Sequence, residues 1–80
     1  MNIEMTLKEV MATVLGISVE SINDETNMDT VASWDSIRHM NLVLAIEEEF
    51  GVSVPDEDAA NITSYPLIKL VLAEALKGKG

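Results

Sequence analysis

The stretch that decides how this chain folds runs from Ser33 to Val52: SWDSIRHMNLVLAIEEEFGV. It opens on Asp35 and Ser36, whose side-chain oxygens can accept from the free backbone N–H groups of a helix's first turn. It closes on Phe50-Gly51-Val52. A glycine just past the last apolar position can take the left-handed conformation that ends a helix, and Val52 can fold back on the last turn. Between those marks the spacing predicts one helix.

At about 100° per residue, that helix carries two apolar faces rather than one. Leu42, Val43, Ile46 and Phe50, with His39 above them, make a core stripe. Ile37, Met40 and Leu44 fall on the opposite side, among Asn41, Glu47 and Glu48. A helix that packs one face on a small core should show water the other, so an apolar patch rimmed with acids reads as a docking surface. Ser36 stands at its top edge. The plainer alternative packs Ile37, Met40 and Leu44 under a loop and leaves Glu47 and Glu48 as solvated charges; Glu49, by angle, leans to the boundary.

Eighty residues make a single domain over 1–80. A chain this short buries only about 60–65% of its unfolded surface, which leaves no room for a deep catalytic cleft. Apolar residues are 48% of the chain but only Trp34, Phe50 and Tyr65 are aromatic, so the core must be mostly aliphatic. There is no cysteine. Disulfides and thiolate metal sites are therefore excluded, and any reactive thiol must come from a cofactor. A net charge of −9 repels nucleic acid and anionic membranes and favours basic protein surfaces. Between Asp35 and Asp58, seven acids face one base, Arg38, a local charge of −6 beside Ser36. No long apolar run or signal-peptide pattern is present, and the reading is a soluble, cytoplasmic monomer.

Upstream, Ile3, Leu7, Val10, Met11 and Val14 recur at helical spacing, Thr6 with Glu9 can form a capping box unless the helix begins a turn earlier, and Leu15-Gly16 is the stop. From Ile17 to Ser33 no period is sustained. Val19, Ile22, Met28 and Val31 should pin this loop over the helices, with a short helical turn near Val19 to Ile22. Downstream, Val52 to Pro55 is a connector, and Asp56 caps a short helix through about Asn61. Thr63, Ser64 and Pro66 mark a last helix, buried through Leu67, Ile68, Val71, Leu72, Ala75 and Leu76. Lys77 to Gly80 should fray. The outcome is all-α: a four-helix bundle, three longer helices and one short, with a long ordered loop between the first two.

Asp35-Ser36-Ile37, then an amphipathic helix ending Glu-Glu-Glu-Phe-Gly-Val, then Pro-Asp-Glu-Asp, resembles the acyl carrier protein family across nearly the whole chain. The resemblance implies that Ser36 carries 4′-phosphopantetheine, transferred from coenzyme A by a separate phosphopantetheinyl transferase. It also implies that Asp35 helps the transferase recognise the site and that Ile37, Met40, Leu44, Glu47 and Glu48 meet partner enzymes with basic docking surfaces. The protein would then be a non-catalytic carrier, presenting acyl, aminoacyl or polyketide intermediates as thioesters in fatty-acid-like or specialised biosynthesis. Ile37 replaces the usual leucine, a volume-conserving change. Trp34 stands where fatty-acid members typically have alanine, which resembles discrete carriers of specialised pathways.

Each of these residues also has a plainer reading. Serine at a helix start is commonly a cap, and so is aspartate. Trp34 reads foremost as an anchor over the core, with shielding of a tethered group as the functional option. His39 with Asp35 and Ser36 does not make a hydrolytic triad, since no nucleophile elbow or oxyanion hole accompanies them. A packing residue at the core's edge is expected instead, tuning local stability around neutral pH. Asp56, Glu57 and Asp58 lack the spacing and glycine of a calcium loop, and no metal site is expected. The competing functional class is an unmodified acidic helical adaptor, bound to one enzyme as a stable subunit.

Overall fold

The computed structural model describes residues 3–79, apart from the side chain of Lys79. Four helices form: α1 (Ile3–Leu15), α2 (Ser36–Phe50), α3 (Asp56–Asn61) and α4 (Tyr65–Lys79), with one 3-10 turn, Val19–Ser21, in the long loop. The expected architecture, long loop included, is the one observed.

Helix α2 begins and ends for the reasons its sequence gives. Asp35, in extended conformation, accepts the Arg38 backbone N–H on its carboxylate at 2.8 Å, and Gly51 closes the helix at φ 62°, donating its N–H to the Glu47 carbonyl. Leu42, Ile46 and Phe50 are buried and Val43 is packed against them. The stop of α1 follows the same rule, with Gly16 at φ 68°. Its start does not. The helix is already under way at Ile3, so Thr6 lies inside it and is no cap.

One hydrophobic cluster joins the three longer helices: Leu7, Met11 and Leu15 from α1, Leu42 and Ile46 from α2, Ile68 and Leu72 from α4. Tyr65 belongs to it too, and Leu67 does not, being 41% exposed. The stripe of α4 starts one turn earlier than its aliphatics indicate, because Tyr65, Ile68 and Leu72 lie on one face at three- and four-residue spacing. Ser64 takes the capping role, accepting the Leu67 N–H at 3.3 Å. At the far end α4 runs through Lys79, and cations in a last turn favour the helix dipole. Gly80 lies outside the described residues. For α3, Asp56 is the first helical residue, and Pro55 occupies the cap position without a side-chain hydrogen bond, so Asp56 does not cap.

The long loop is held by more than apolar side chains. Ile22 and Trp34 are buried, and Met28 and Val31 pack on the cluster. Polar bonds complete the hold: Asn27 Oδ1 accepts the N–H groups of Asp29 and Thr30, and Thr26 Oγ1 accepts that of Asn23. An isolated bridge, Asn27 with Ser64, ties the loop to the start of α4, where Met28 N–H donates to Thr63 and Tyr65 N–H to Thr26.

Tyr65 lies under two ammonium groups, Lys69 at 4.8 Å and Lys8 at 5.6 Å from its ring centroid. Lys69 also reaches Glu4 at 3.5 Å and Asp24 at 3.4 Å, joining α1, the loop and α4. Burial raises the pKa of the Tyr65 phenol, with Lys69 opposing. Its hydroxyl has no hydrogen-bond partner among the described residues. A buried oxygen without a partner is a net cost. Tyr65→Phe is therefore expected to stabilise the fold by about 1 kcal/mol, read as a higher urea midpoint at unchanged slope.

Candidate functional site

The residues around the start of α2 are committed to holding it in place. Ser33 Oγ donates to the Leu15 carbonyl at 2.7 Å, and the Arg38 guanidinium donates to the Val14 carbonyl at 3.2 Å. Both carbonyls lie in the last turn of α1, where they have no partner within the helix and where a cation is favourable. Trp34 is 2% exposed and donates its indole N–H to His39 Nδ1 at 3.0 Å. Asp35 is the cap through Oδ1, and its other oxygen makes no hydrogen bond to the described residues. The start of α2 is thus bolted to α1 and to the core on both sides of residue 36.

Ser36 is left over. It is the first residue of the helix rather than its cap, its side chain is exposed, and none of the described residues takes its hydroxyl. A fixed backbone carrying a free hydroxyl at a helix N-terminus, where unpaired N–H groups and the dipole favour negative charge, suits a phosphodiester. The side chains present fit the group that the sequence resemblance implies.

Directly below, Ile37 is 75% exposed, Met40 66% and Leu44 56%, so the second apolar face of α2 is open to water and is not packed under the loop. Glu48 is exposed beside it, while Glu49 is exposed on the side of α2 towards α1, and neither makes an ion pair among the described residues. Glu47 behaves differently. It is half-buried, and its carboxylate accepts the Val54 backbone N–H at 2.7 Å, pinning the connector after α2.

Between α2 and α3 lies a cavity of about 510 Å³, with Ser36, Met40, Val43 and Leu44 on one wall and Ala59 and Ala60 on the other. His39 and Glu47 are its polar members on α2, and Asp56 is its charged member on α3. His39 is half-buried, and both of its ring nitrogens are engaged. That is more than the packing role its spacing implies. No spacing rule could have shown it, because one partner is a backbone carbonyl of another helix. No cluster able to hold a metal ion occurs among the described residues, and no helix among them is long and apolar enough to cross a membrane.

Residues 6–66 match the family described as a phosphopantetheine attachment site. That span takes in most of α1, the loop, all of α2 and α3 and the start of α4. Members of this family bear covalently attached 4′-phosphopantetheine and are in general carriers, modified by a separate transferase and served by biosynthetic enzymes. With the match covering most of the chain and the fold agreeing with it, this protein belongs to the phosphopantetheine-attachment family and is a phosphopantetheine-carrying carrier protein.

Proposed function

We propose that Ser36 is the attachment point and that the protein presents acyl, aminoacyl or polyketide groups to successive cytoplasmic enzymes. The observation that supports this most is the free, exposed hydroxyl of Ser36 on a backbone held by every neighbour. In the transfer, Ser36 Oγ forms a bond to the phosphorus on the pantetheine side of coenzyme A's diphosphate. The P–O bond to the adenosine half breaks, 3′,5′-ADP leaves, and the serine proton passes to a base of the transferase. This chain supplies the nucleophile's position and no catalytic base. Asp35, adjacent and with one oxygen uncommitted, is the contact through which the transferase recognises the serine. Once attached, the arm supplies the thiol that a cysteine-free chain lacks, and holds the transported group as a thioester.

Incubation with coenzyme A and a broad-specificity transferase tests this directly. Intact mass is expected to rise by one phosphopantetheine group, and no rise would leave the unmodified adaptor as the reading.

Ile37, Met40 and Leu44, with Glu47 and Glu48 at their edge, form the proposed docking face. Acidic rims of this kind speed encounter with basic partners more than they tighten the complex. Glu48→Lys is therefore expected to raise the KM of the transferase by about three- to tenfold without changing the unfolding midpoint. Glu47→Lys should do the same and also lower stability by about 1 kcal/mol, because it removes the acceptor of the Val54 N–H. Unchanged KM in both variants would remove the docking assignment.

A further inference from the structure

The imidazole of His39 links three segments. Because the indole N–H of Trp34 donates to Nδ1, neutral His39 carries its proton on Nε2, and Nε2–H donates to the Ala59 carbonyl at 2.6 Å. The two rings stack, with centroids 6.1 Å apart and planes 26° from parallel, so the orientation of His39 is fixed as well as its tautomer. The chain of bonds runs from the loop, through α2, into the middle of α3.

Helix α3 has little else to hold it there. It has six residues, none buried, and no side-chain cap. A helix of that length does not sustain itself in water. Val54 before it and Ile62 after it are buried, and Ala59 is its own contact with the hydrophobic cluster. Yet Asp56, Ala59 and Ala60 form the wall of the cavity that faces Ser36 and Val43. The position of that wall is set where His39 meets it.

We propose that His39 is a positioning residue for the group carried on Ser36: by tying the Ala59 carbonyl to α2 it sets the width of the cavity beside the serine, and Trp34, bonded to the other ring nitrogen and stacked on it, holds the imidazole in the orientation that does so. The inference rests on the carrier reading and goes beyond it, assigning a role to two residues that neither bear the arm nor meet a partner enzyme. It also explains why a polar ring stands at a core-edge position of α2 where an aliphatic would fill the space. An aliphatic would pack and would tie nothing.

Three substitutions separate hydrogen bonding from packing. In His39→Gln, the amide oxygen can accept from Trp34 and the amide N–H can donate to Ala59, so both bonds have a replacement. His39→Leu keeps the bulk and loses both. Trp34→Phe keeps a ring in the core but removes the donor to Nδ1, so the imidazole loses one of the two bonds that hold its orientation.

In the unmodified proteins, amide hydrogen exchange at Ala59 and Ile62, whose N–H groups bond to Pro55 and Asp58, is the first readout. His39→Leu is expected to speed it about fivefold or more relative to the wild type, the worth of one lost hydrogen bond, with Trp34→Phe in the same direction and His39→Gln near the wild type. The second readout is spontaneous hydrolysis of an octanoyl thioester loaded through Ser36, expected to follow the same order. Exchange in His39→Leu equal to the wild type would overturn the proposal. Equal damage from His39→Gln and His39→Leu would overturn it too, reducing His39 to packing. Faster exchange with unchanged hydrolysis would leave the tie and remove its role toward the carried group. Failure of Ser36 to load at all, with the exchange pattern as expected, would instead defeat the carrier reading.

Discussion

Ser36→Ala is expected to abolish the phosphopantetheine mass gain completely while leaving the fold intact. The loss is total because the step needs a hydroxyl oxygen, and no other hydroxyl among the described residues stands free at the head of α2. Ser33 Oγ, three residues away, is donated to the Leu15 carbonyl and cannot substitute. Stability should hold because Ser36 is not the cap of α2. Its side chain is exposed and unbonded, and alanine is the better helix former by a few tenths of a kcal/mol. Asp35→Ala gives the contrasting pattern. It removes the acceptor of the Arg38 N–H, so α2 loses its cap and the protein about 1 kcal/mol, and loading is expected to slow without vanishing. Circular dichroism with intact mass on the two variants distinguishes anchor from cap. A mass gain retained in Ser36→Ala would place the arm elsewhere and sink the site assignment.

Leu42→Ala is the substitution expected to cost the most stability. Leu42 is 0% exposed, on the core stripe of α2, in the cluster that also takes in Leu7, Met11 and Leu15 of α1. Removing a fully buried leucine loses its transfer free energy and leaves a cavity that neighbours fill only in part, about 3 kcal/mol in all. For a domain of this size the whole stability is roughly 4–12 kcal/mol, so the loss is a large fraction of it. At unchanged slope, urea unfolding should show a midpoint lowered by roughly a quarter to three quarters of the wild-type value. Leu44→Ala, two residues on and exposed, is the control. It should leave the midpoint within the scatter of surface substitutions, about 0.5 kcal/mol, and weaken partner turnover instead. Equal midpoints for the two variants would contradict the two-faced reading of α2.

Which face of α2 is buried was legible from periodicity, because a helix repeats on itself and its neighbours need not be known. The same logic located the ends of α1 and α2 at Gly16 and Gly51 and the start of α4 near Ser64. It misplaced Leu67 and overlooked Tyr65, since a tyrosine's amphipathic ring can face either way and the choice lies with what packs on it. Asp56 and Thr6 carried good capping chemistry but stood inside their helices rather than before them. Capping depends on one residue's backbone angles, and a sequence leaves helix boundaries uncertain by a turn. Within the candidate site, the helix start at Asp35 and Ser36 and the exposed trio Ile37, Met40 and Leu44 followed from local spacing, while the functional roles of Asp35 and Ser36 followed from the family resemblance. The place of Glu47 at the rim followed too, but its hydrogen bond did not, because the backbone N–H it holds belongs to the connector after α2.

By itself the sequence determined an all-helical, cysteine-free, acidic chain with one serine at the head of a two-faced helix, because these properties are written in composition and in repeats of three and four; the carrier reading came from the resemblance of its motif to a known family. Only the tertiary structure decided which hydroxyl stays free. Ser33 and Ser36 flank the same tryptophan and aspartate, and what separates them is that the last turn of α1 comes close enough to claim one and not the other. It likewise turned a solitary histidine into a tie across a cavity, since its partners lie on the loop and on α3, brought to the same ring by packing between segments that no periodicity connects.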